Sequence, residues 1–160
     1  MSLNSNSIIY YFCPLNFKAR YLGRIIALDY GSKRVGIAVT DPMKMIANSL
    51  PTMETGKLMD FLADYFSKEK VECLVVGLPK QMNNEPSQSM PMIEEFVKKF
   101  KTRFPTMEVT YVDERFTSKL AVQAMVQGGV KKKDHQNKAL IDSISATIIL
   151  QSYLESLNYR

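Results

Sequence analysis

Two apolar segments separated by a short polar turn open the regular part of the chain. They are "RIIALDY", residues 24–30, and "RVGIAVT", residues 34–40. Two such segments joined by a turn at residues 31–33 predict an antiparallel β-hairpin. Residues 46–54, "IANSLPTME", predict a third and weaker strand. Because Pro51 cannot donate a hydrogen bond to a neighbouring strand, we expect this strand at the edge of the sheet.

The rest of the chain alternates between helical periodicity and short apolar runs. Two compact runs, "CLVVGL" and "EVTYVD", predict strands between the helical segments. The predicted elements after residue 54 are a helix at 56–68, a strand at 73–78, a helix at about 90–104, a strand at 108–113, a helix that Thr117 or Ser118 caps and Gly128 and Gly129 end, and a helix at about 137–157. Because two of the strands are each followed by a helix, the sequence predicts an α/β fold with a five-stranded mixed sheet flanked by helices.

The length suits one domain, and the first 22 residues do not share the pattern of the remainder. A chain of 160 residues, 46% hydrophobic and 23% charged, is typical of a single folded domain. Residues 1–22 are polar and then aromatic, contain Pro14, and show no sustained period. We therefore predict an N-terminal extension outside the fold at 1–22 and one domain at 23–160.

Composition disfavours several kinds of functional site. Cys13 and Cys73 are too few for a disulfide framework. A single histidine, His135, makes a zinc site or a Ser-His-Asp triad hard to assemble, which leaves carboxylates to carry any chemistry. No apolar run approaches the length of about 20 residues that crosses a bilayer, and the N-terminus lacks the pattern of a signal peptide. We therefore expect a cytoplasmic protein without a membrane partner.

Three carboxylates occupy positions where α/β folds commonly place functional groups. Asp29 lies at the end of the first strand, Glu114 follows the fifth, and Asp142 lies in the otherwise apolar segment "ALIDSISATIILQ". Strand ends of such sheets bind ligands, so the first two acids can meet there. The small side chains of Ser145 and Ala146 would let the last helix bring Asp142 to them. Any one acid alone is better explained by a turn or a helix end, but three are less easily dismissed.

Clustered carboxylates repel each other and need a compensating charge. A hard divalent cation supplies that charge, and oxygen ligands without histidine or cysteine indicate Mg²⁺ or Mn²⁺. Two such ions could activate a water, stabilise a pentacovalent phosphorus and hold the leaving oxygen in phosphodiester hydrolysis. We therefore predict that Asp29, Glu114 and Asp142 are both the catalytic residues and the metal ligands.

The net charge of +5 favours a polyanionic partner, although many soluble domains are mildly basic. Cations lie near the acidic motifs and in a run of three lysines before the last helix. Near a metal site they would hold backbone phosphates. The predicted nucleic-acid-binding residues are Lys33, Arg34, Arg115, Lys119, Lys131, Lys132 and Lys133.

Four segments resemble, in order, the motifs of the bacterial YqgF family, also called RuvX. They are "GRIIALDYGSKRVGIAVTDP", "VVGLP", "VDERFTS" and "KALIDSISATIILQSYL", and the resemblance spans about residues 23–157. The resemblance implies a ribonuclease H-like fold related to the RuvC resolvase. It also implies a metal-dependent nuclease with Asp29, Glu114 and Asp142 at the acidic site positions. Family members are described as Holliday junction resolvases and as the nuclease that processes the 5′ end of pre-16S ribosomal RNA, so the implied partner is pre-rRNA or branched DNA.

Two details of the resemblance concern further acidic positions. Asp113 also matches the motif, as a neighbour of the site. The loop after "VVGLP" contains Met82, Asn83 and Asn84, where family members often have Met-Asp-Gly. A carboxylate role at this loop is therefore in doubt, whereas the three-acid site is unaffected.

Three alternatives to an RNA-processing nuclease stay open. The first is a Holliday junction resolvase acting on DNA, for which a homodimer is expected because such enzymes cut two strands symmetrically. The second is a nucleic-acid or ribosome-assembly binding module that retains the fold and the acids without turnover. The third is an ATPase, since "LDYGSKRVGIAV" also resembles the first phosphate loop of the actin and sugar-kinase superfamily, but those enzymes enclose their nucleotide between two domains.

Overall fold

The structure, a computed structural model, describes residues 23–79, 89–113, 121, 123–124, 127–129 and 137–158. Its strands are β1 (Arg24–Tyr30), β2 (Arg34–Thr40), β3 (Ala47–Glu54), β4 (Val71–Leu78) and β5 (Glu108–Asp113). Its helices are α1 (Leu58–Lys68), α2 (Met90–Arg103) and α3 (Lys138–Asn158), and a 3-10 turn at Thr55–Lys57 precedes α1. Residues 121, 123, 124 and 127 are also helical.

The strands form one mixed sheet in the order β3-β2-β1-β4-β5. β1, β2 and β3 pair antiparallel in sequence order, whereas β4 runs parallel to both β1 and β5. The carboxyl ends of β1, β4 and β5 therefore point to the same end of the sheet, where α/β folds bind their ligands. The predicted hairpin bounds are confirmed, and Pro51 lies in the edge strand β3 as predicted.

Side chains alternate between the two faces of the sheet, and each face has its own hydrophobic core. The aromatic layer, covered by α1 and α2, is the cluster of Ile26, Leu28, Val35, Ile37, Leu58, Leu62, Leu74, Val76, Ile93, Phe96, Val97 and Phe100. The α3 layer, covered by α3, is the cluster of Ile25, Ala27, Ala38, Cys73, Val75, Ala146, Ile149, Leu150 and Leu154. The predicted arrangement of a five-stranded mixed sheet flanked by helices is confirmed.

Polar residues and glycines mark the helix ends that the sequence predicted. The side chain of Asn137 accepts hydrogen bonds from the backbone N–H of Ala139 at 3.1 Å and of Leu140 at 3.3 Å, which caps α3. The backbone N–H of Gly128 donates to the carbonyl of Ala124 at 2.8 Å, and Gly129 has a φ of 71°. The predicted helix end at these two glycines is thus confirmed, because a positive φ favours glycine. The predicted caps Thr117 and Ser118 lie outside the described residues.

One predicted strand begins earlier than its hydrophobic pattern indicates. β4 starts at Val71 rather than Cys73 because Val71 pairs with Arg24 at the start of β1. A carboxylate, Glu72, interrupts the apolar run there, so the pattern alone did not include these two residues. The predicted extension at 1–22 lies outside the described residues. In the part of the chain that the structure covers, no helix has the length and apolar character needed to cross a bilayer.

Candidate active site

Asp29 and Asp142 line the same cavity at the carboxyl end of β1. The alternation of β1 places Asp29 on the same face as Ile25 and Ala27, which is the face that α3 covers. The cavity has a volume of about 330 Å³. Its lining residues are Asp29, Gly31, Ser32, Lys33, Arg34, Lys138 and Asp142.

The close approach of α3 to the sheet depends on a glycine in β2. Gly36 is buried and lies opposite Asp29 in the antiparallel pairing of β1 and β2. A Cβ atom on Gly36 would overlap the carbonyl oxygen of Asp142 and lie only 3.1 Å from the backbone nitrogen of Ser143. The first turn of α3 therefore rests directly on the backbone of β2, beside the strand position that carries Asp29.

Small residues on α3 complete this contact, as the sequence predicted. Ser145 is 1% exposed and Ala146 is 0% exposed, so both face the sheet. The role of Gly36 was missed, although a glycine inside a strand is a known signal for close backbone approach. The hydroxyl of Ser145 is the one buried side-chain oxygen or nitrogen without a hydrogen-bond partner in the part of the chain that the structure describes.

Three basic residues share the cavity with the two acids. The Nε of Arg34 donates to the Oδ2 of Asp142 at 3.2 Å, forming an ion pair whose side chains are 39% and 28% exposed. Lys33 precedes Arg34 at the tip of the hairpin and is exposed. Lys138 was not predicted as a site residue. Its position four residues before Asp142 on a helix, which places both on one face, was the signal available.

The hairpin tip that carries Lys33 and Arg34 is held by hydrogen bonds to its backbone. The N–H of Gly31 donates to the carbonyl of Arg34 at 3.0 Å, and a Cβ on Gly31 would lie 2.6 Å from that oxygen. Thr55 fastens the tip from the other side. Its hydroxyl donates to the carbonyl of Gly31 at 2.7 Å, and its N–H donates to the carbonyl of Lys33 at 3.1 Å. The cations therefore project from a defined turn.

Several predicted site residues lie outside the residues that the structure describes. These are Glu114, Arg115, Lys119, Lys131, Lys132 and Lys133. Asp113, the last residue of β5, is described and exposed. Among described residues, no three His, Cys, Asp or Glu side chains lie close enough together to hold a metal ion. Asp29 and Asp142 thus line one cavity, whereas Glu114, the third predicted acid, lies outside the described residues.

The donor set of the cavity is chemically suited to a hard cation and a phosphate. Asp29 and Asp142 offer only oxygen ligands, which Mg²⁺ and Mn²⁺ prefer. The guanidinium of Arg34 pairs with Asp142 and offsets part of its negative charge, so a cation bound at this carboxylate would compete with Arg34 for it. Lys33 and Lys138 add positive charge around it, which suits a phosphate group. These residues therefore fit a divalent ion together with a phosphate ester.

Most of the chain matches the model of a known family. Residues 23–156 match the model of a family described as RuvX, Holliday junction resolvase. This chain belongs to the RuvX family. The ribonuclease H-like fold that the resemblance implied is thereby confirmed, with a five-stranded mixed sheet and flanking helices.

Curated RuvX-family relatives share more than half of their residues with this chain, and each is named "Putative pre-16S rRNA nuclease". The relative from Bacteroides fragilis is 60% identical over 135 residues, which cover 84% of this chain and 98% of the relative. The relative from Bacteroides thetaiotaomicron is 58% identical over 138 residues, 86% of this chain and 100% of the relative. The relative from Flavobacterium psychrophilum is 60% identical over 131 residues, 82% of this chain and 96% of the relative.

Proposed function

We propose that this RuvX-family protein is a divalent-metal-dependent nuclease with Asp29, Glu114 and Asp142 as its acidic site. The observation that carries the proposal is the shared cavity of Asp29 and Asp142, which lie on different elements and face the same space. Glu114 directly follows Asp113, the end of β5, and β5 ends on the same side of the sheet as β1. An acid next in sequence to that strand end is therefore a reasonable third ligand.

The chain's own residues have distinct roles in this mechanism. Asp29 and Asp142 would hold the cation, together with Glu114. When bound, such an ion would supply Lewis acidity for activating a water and for offsetting the negative charge that develops on the phosphoryl oxygens. Arg34, Lys33 and Lys138 would bind and orient backbone phosphates, since phosphate contacts fix the register of the nucleic acid at a site. The predicted cations outside the described residues would extend this phosphate contact along the strand.

We propose structured RNA as the substrate, with processing of the 5′ end of pre-16S rRNA as the reaction. The support is the name carried by relatives that share about 60% of their residues with this chain. The family description favours a second candidate, a resolvase acting on four-way DNA junctions. Symmetric cutting of a junction needs two active sites, so a protein that sediments as a strict monomer would weaken this candidate.

The test of the site is the substitution Asp29→Asn, which keeps the shape of the side chain and removes its charge. We expect cleavage to collapse, because the cation loses a ligand, while the metal-free protein stays folded, because the amide keeps the shape of the carboxylate. Purified wild type and variant are assayed on a pre-16S RNA fragment and on a four-way DNA junction, with Mg²⁺ or EDTA. Thermal melts under the same conditions report metal binding.

The matched control is Asp64→Asn, which removes the same charge from an exposed carboxylate on α1. Asp64 pairs with Lys68 at 2.7 Å on the surface, and its side chain is 62% exposed. Exposed pairs of this kind contribute at most about 1 kcal/mol, so this variant should cleave like wild type. Cleavage and Mg²⁺-dependent stabilisation that both survive in Asp29→Asn would remove Asp29 from the site. Binding of RNA by a wild type that never cuts it would favour the non-catalytic binding module.

A further inference from the structure

The ion pair between Arg34 and Asp142 occupies a carboxylate that the proposed cation would also use. Arg34 Nε lies 3.2 Å from Asp142 Oδ2, and both side chains remain partly exposed, at 39% and 28%. A pair this accessible to water is weak and shifts an equilibrium by no more than about fivefold. It can therefore break without a large penalty.

The backbone of Arg34 is fixed although its side chain is accessible. Its carbonyl accepts the hydrogen bond from Gly31 at 3.0 Å, and the residue pairs with Glu54 of β3 in the sheet. Breaking the ion pair would therefore move the guanidinium and leave the hairpin in place. The freed group would stay within the cavity that Asp29 and Asp142 line.

A divalent cation and a guanidinium at the same carboxylate repel each other. A cation held by Asp29 and Asp142 would therefore weaken the hold of Asp142 on Arg34. A guanidinium carries five N–H donors in a planar fork that matches two phosphate oxygens, so a phosphate in the cavity is its natural alternative partner. Arg34 thus has one anionic partner without the cation and another with it.

We propose that Arg34 exchanges between Asp142 and a substrate phosphate, so that binding of the divalent cation and binding of the nucleic acid strengthen each other. The inference rests on the proposed function and names a coupling device within that same site. Because the coupling is between two binding equilibria, it is reciprocal: nucleic acid should tighten cation binding by the same factor. Arg34 is then a positioning residue for the phosphate.

The experiment measures this coupling without relying on turnover. Binding of a short fluorescein-labelled single-stranded RNA is followed by anisotropy in EDTA and in Ca²⁺, which binds oxygen ligands as Mg²⁺ does. The ratio of the two dissociation constants is the coupling factor. We expect the coupling factor of wild type to exceed that of Arg34→Met by about fivefold, because the direct attraction between cation and phosphate is common to both proteins. Titration of the RNA-free proteins with Mn²⁺ should show tighter binding to Arg34→Met than to wild type.

The matched control is Lys138→Met, which removes one positive charge from the same cavity. Lys138 lines the cavity four residues before Asp142, but within the described part of the chain it forms no ion pair with that carboxylate. Its loss should weaken RNA binding equally in EDTA and in Ca²⁺, so the coupling factor should stay within about twofold of wild type. Arg34→Lys, which keeps the charge and loses the planar fork, should show an intermediate coupling factor.

Equal coupling factors in wild type, Arg34→Met and Lys138→Met would overturn the exchange. So would a wild type that cleaves RNA with Mg²⁺ but binds it equally well in EDTA and in Ca²⁺. Both results leave the proposed nuclease intact. A wild type that neither binds Mn²⁺ nor cleaves any nucleic acid would instead overturn the proposed function, and the two failures are therefore distinguishable.

Discussion

The two faces of the sheet are packed in different ways, and the difference locates the site. In the aromatic layer, Phe100 is fully buried and its ring centroid lies 5.0 Å from that of Phe104, 5.9 Å from Phe96 and 6.1 Å from Phe66. In the α3 layer, the corresponding contacts near the site involve glycine, alanine and serine. Large side chains fill one face, whereas small ones let a helix touch the other.

This contrast has a functional consequence. Large rings keep the helices of the aromatic layer separated from the strands by whole side chains, which contributes hydrophobic free energy. Gly36 and Ala146 instead let the backbone of α3 approach β2, which brings Asp142 into the cavity with Asp29. The aromatic layer therefore stabilises the domain, and the α3 layer positions the candidate site.

The largest expected effect is the loss of stability in Phe100→Ala. Removing a fully buried phenyl ring costs about 3–5 kcal/mol of unfolding free energy, because both burial and packing are lost. Urea unfolding followed by circular dichroism measures this cost. At low temperature some Phe100→Ala molecules remain folded. Their RNA cleavage and their coupling factor between cation and RNA binding should match those of wild type. A folded Phe100→Ala protein with a disabled site would show that the two layers do not divide these roles.

Gly36→Ala should cost less stability but damage the site. The added methyl group overlaps the carbonyl of Asp142, so α3 must shift, at a cost of about 1–3 kcal/mol. We expect cleavage and Mn²⁺ binding to fall far more than the unfolding free energy does. On the same preparation, isothermal titration calorimetry measures Mn²⁺ binding, a nuclease assay measures cleavage, and urea unfolding measures the free energy of unfolding.

The control for this substitution is Gly56→Ala in the 3-10 turn before α1. A Cβ on Gly56 meets nothing within 4 Å, so this variant should fold at least as well as wild type, with a gain of about 0.4–1 kcal/mol. Its site should be intact. If Gly36→Ala and Gly56→Ala showed the same cleavage, Mn²⁺ binding and unfolding free energy, that result would contradict the close approach of α3 to β2.

Ser145→Ala should raise stability slightly. Ser145 is 1% exposed and its hydroxyl has no partner among the described residues, so removing it relieves the cost of a buried polar group. We expect a gain of about 1 kcal/mol, which raises the melting temperature by about 2–4 °C. Thr40→Val is the contrast, because the buried hydroxyl of Thr40 accepts from the N–H of Ile25 at 2.9 Å. Thr40→Val should therefore lose stability. A loss of stability in Ser145→Ala as well would show that the Ser145 hydroxyl makes a stabilising hydrogen bond, contrary to this prediction.

The smallest expected effect concerns the thiol of Cys73 beneath α3. Desolvation by burial raises the pKa of Cys73 above its ordinary value of 9.0, despite weak hydrogen bonds to Thr110 and Tyr153. Stability should therefore decline as the pH rises above about 9, because unfolding then lets the thiol ionise.

In a Cys13→Ser background, iodoacetamide should modify the thiol slowly at pH 8, since the thiolate is the reactive form. If the Cys73 thiol is modified faster in Gly36→Ala than in Gly56→Ala, α3 has moved away from the sheet. Equal rates would argue against this displacement.

Local patterns in the sequence were sufficient to predict most of the elements. β1, β2 and β5 have the predicted bounds, and the ends of α2 and α3 lie within one residue of the predictions. Strand alternation, helical spacing and turn residues act over a few neighbours, so they are visible without the fold. The resemblance to RuvX motifs likewise rests on short segments of sequence, and the family match confirms it.

The contacts between distant segments were decided only by the tertiary structure. Gly36 mattered because β2 lies next to β1 and beneath the first turn of α3. Arg34 meets Asp142, and Lys138 enters the cavity, for the same reason. The types and positions of residues in the sequence alone singled out Asp29, Asp142 and the small residues on α3 as candidates. Which backbone they would touch depended on the strand order and on how closely a helix could pack, and both are properties of the assembled sheet.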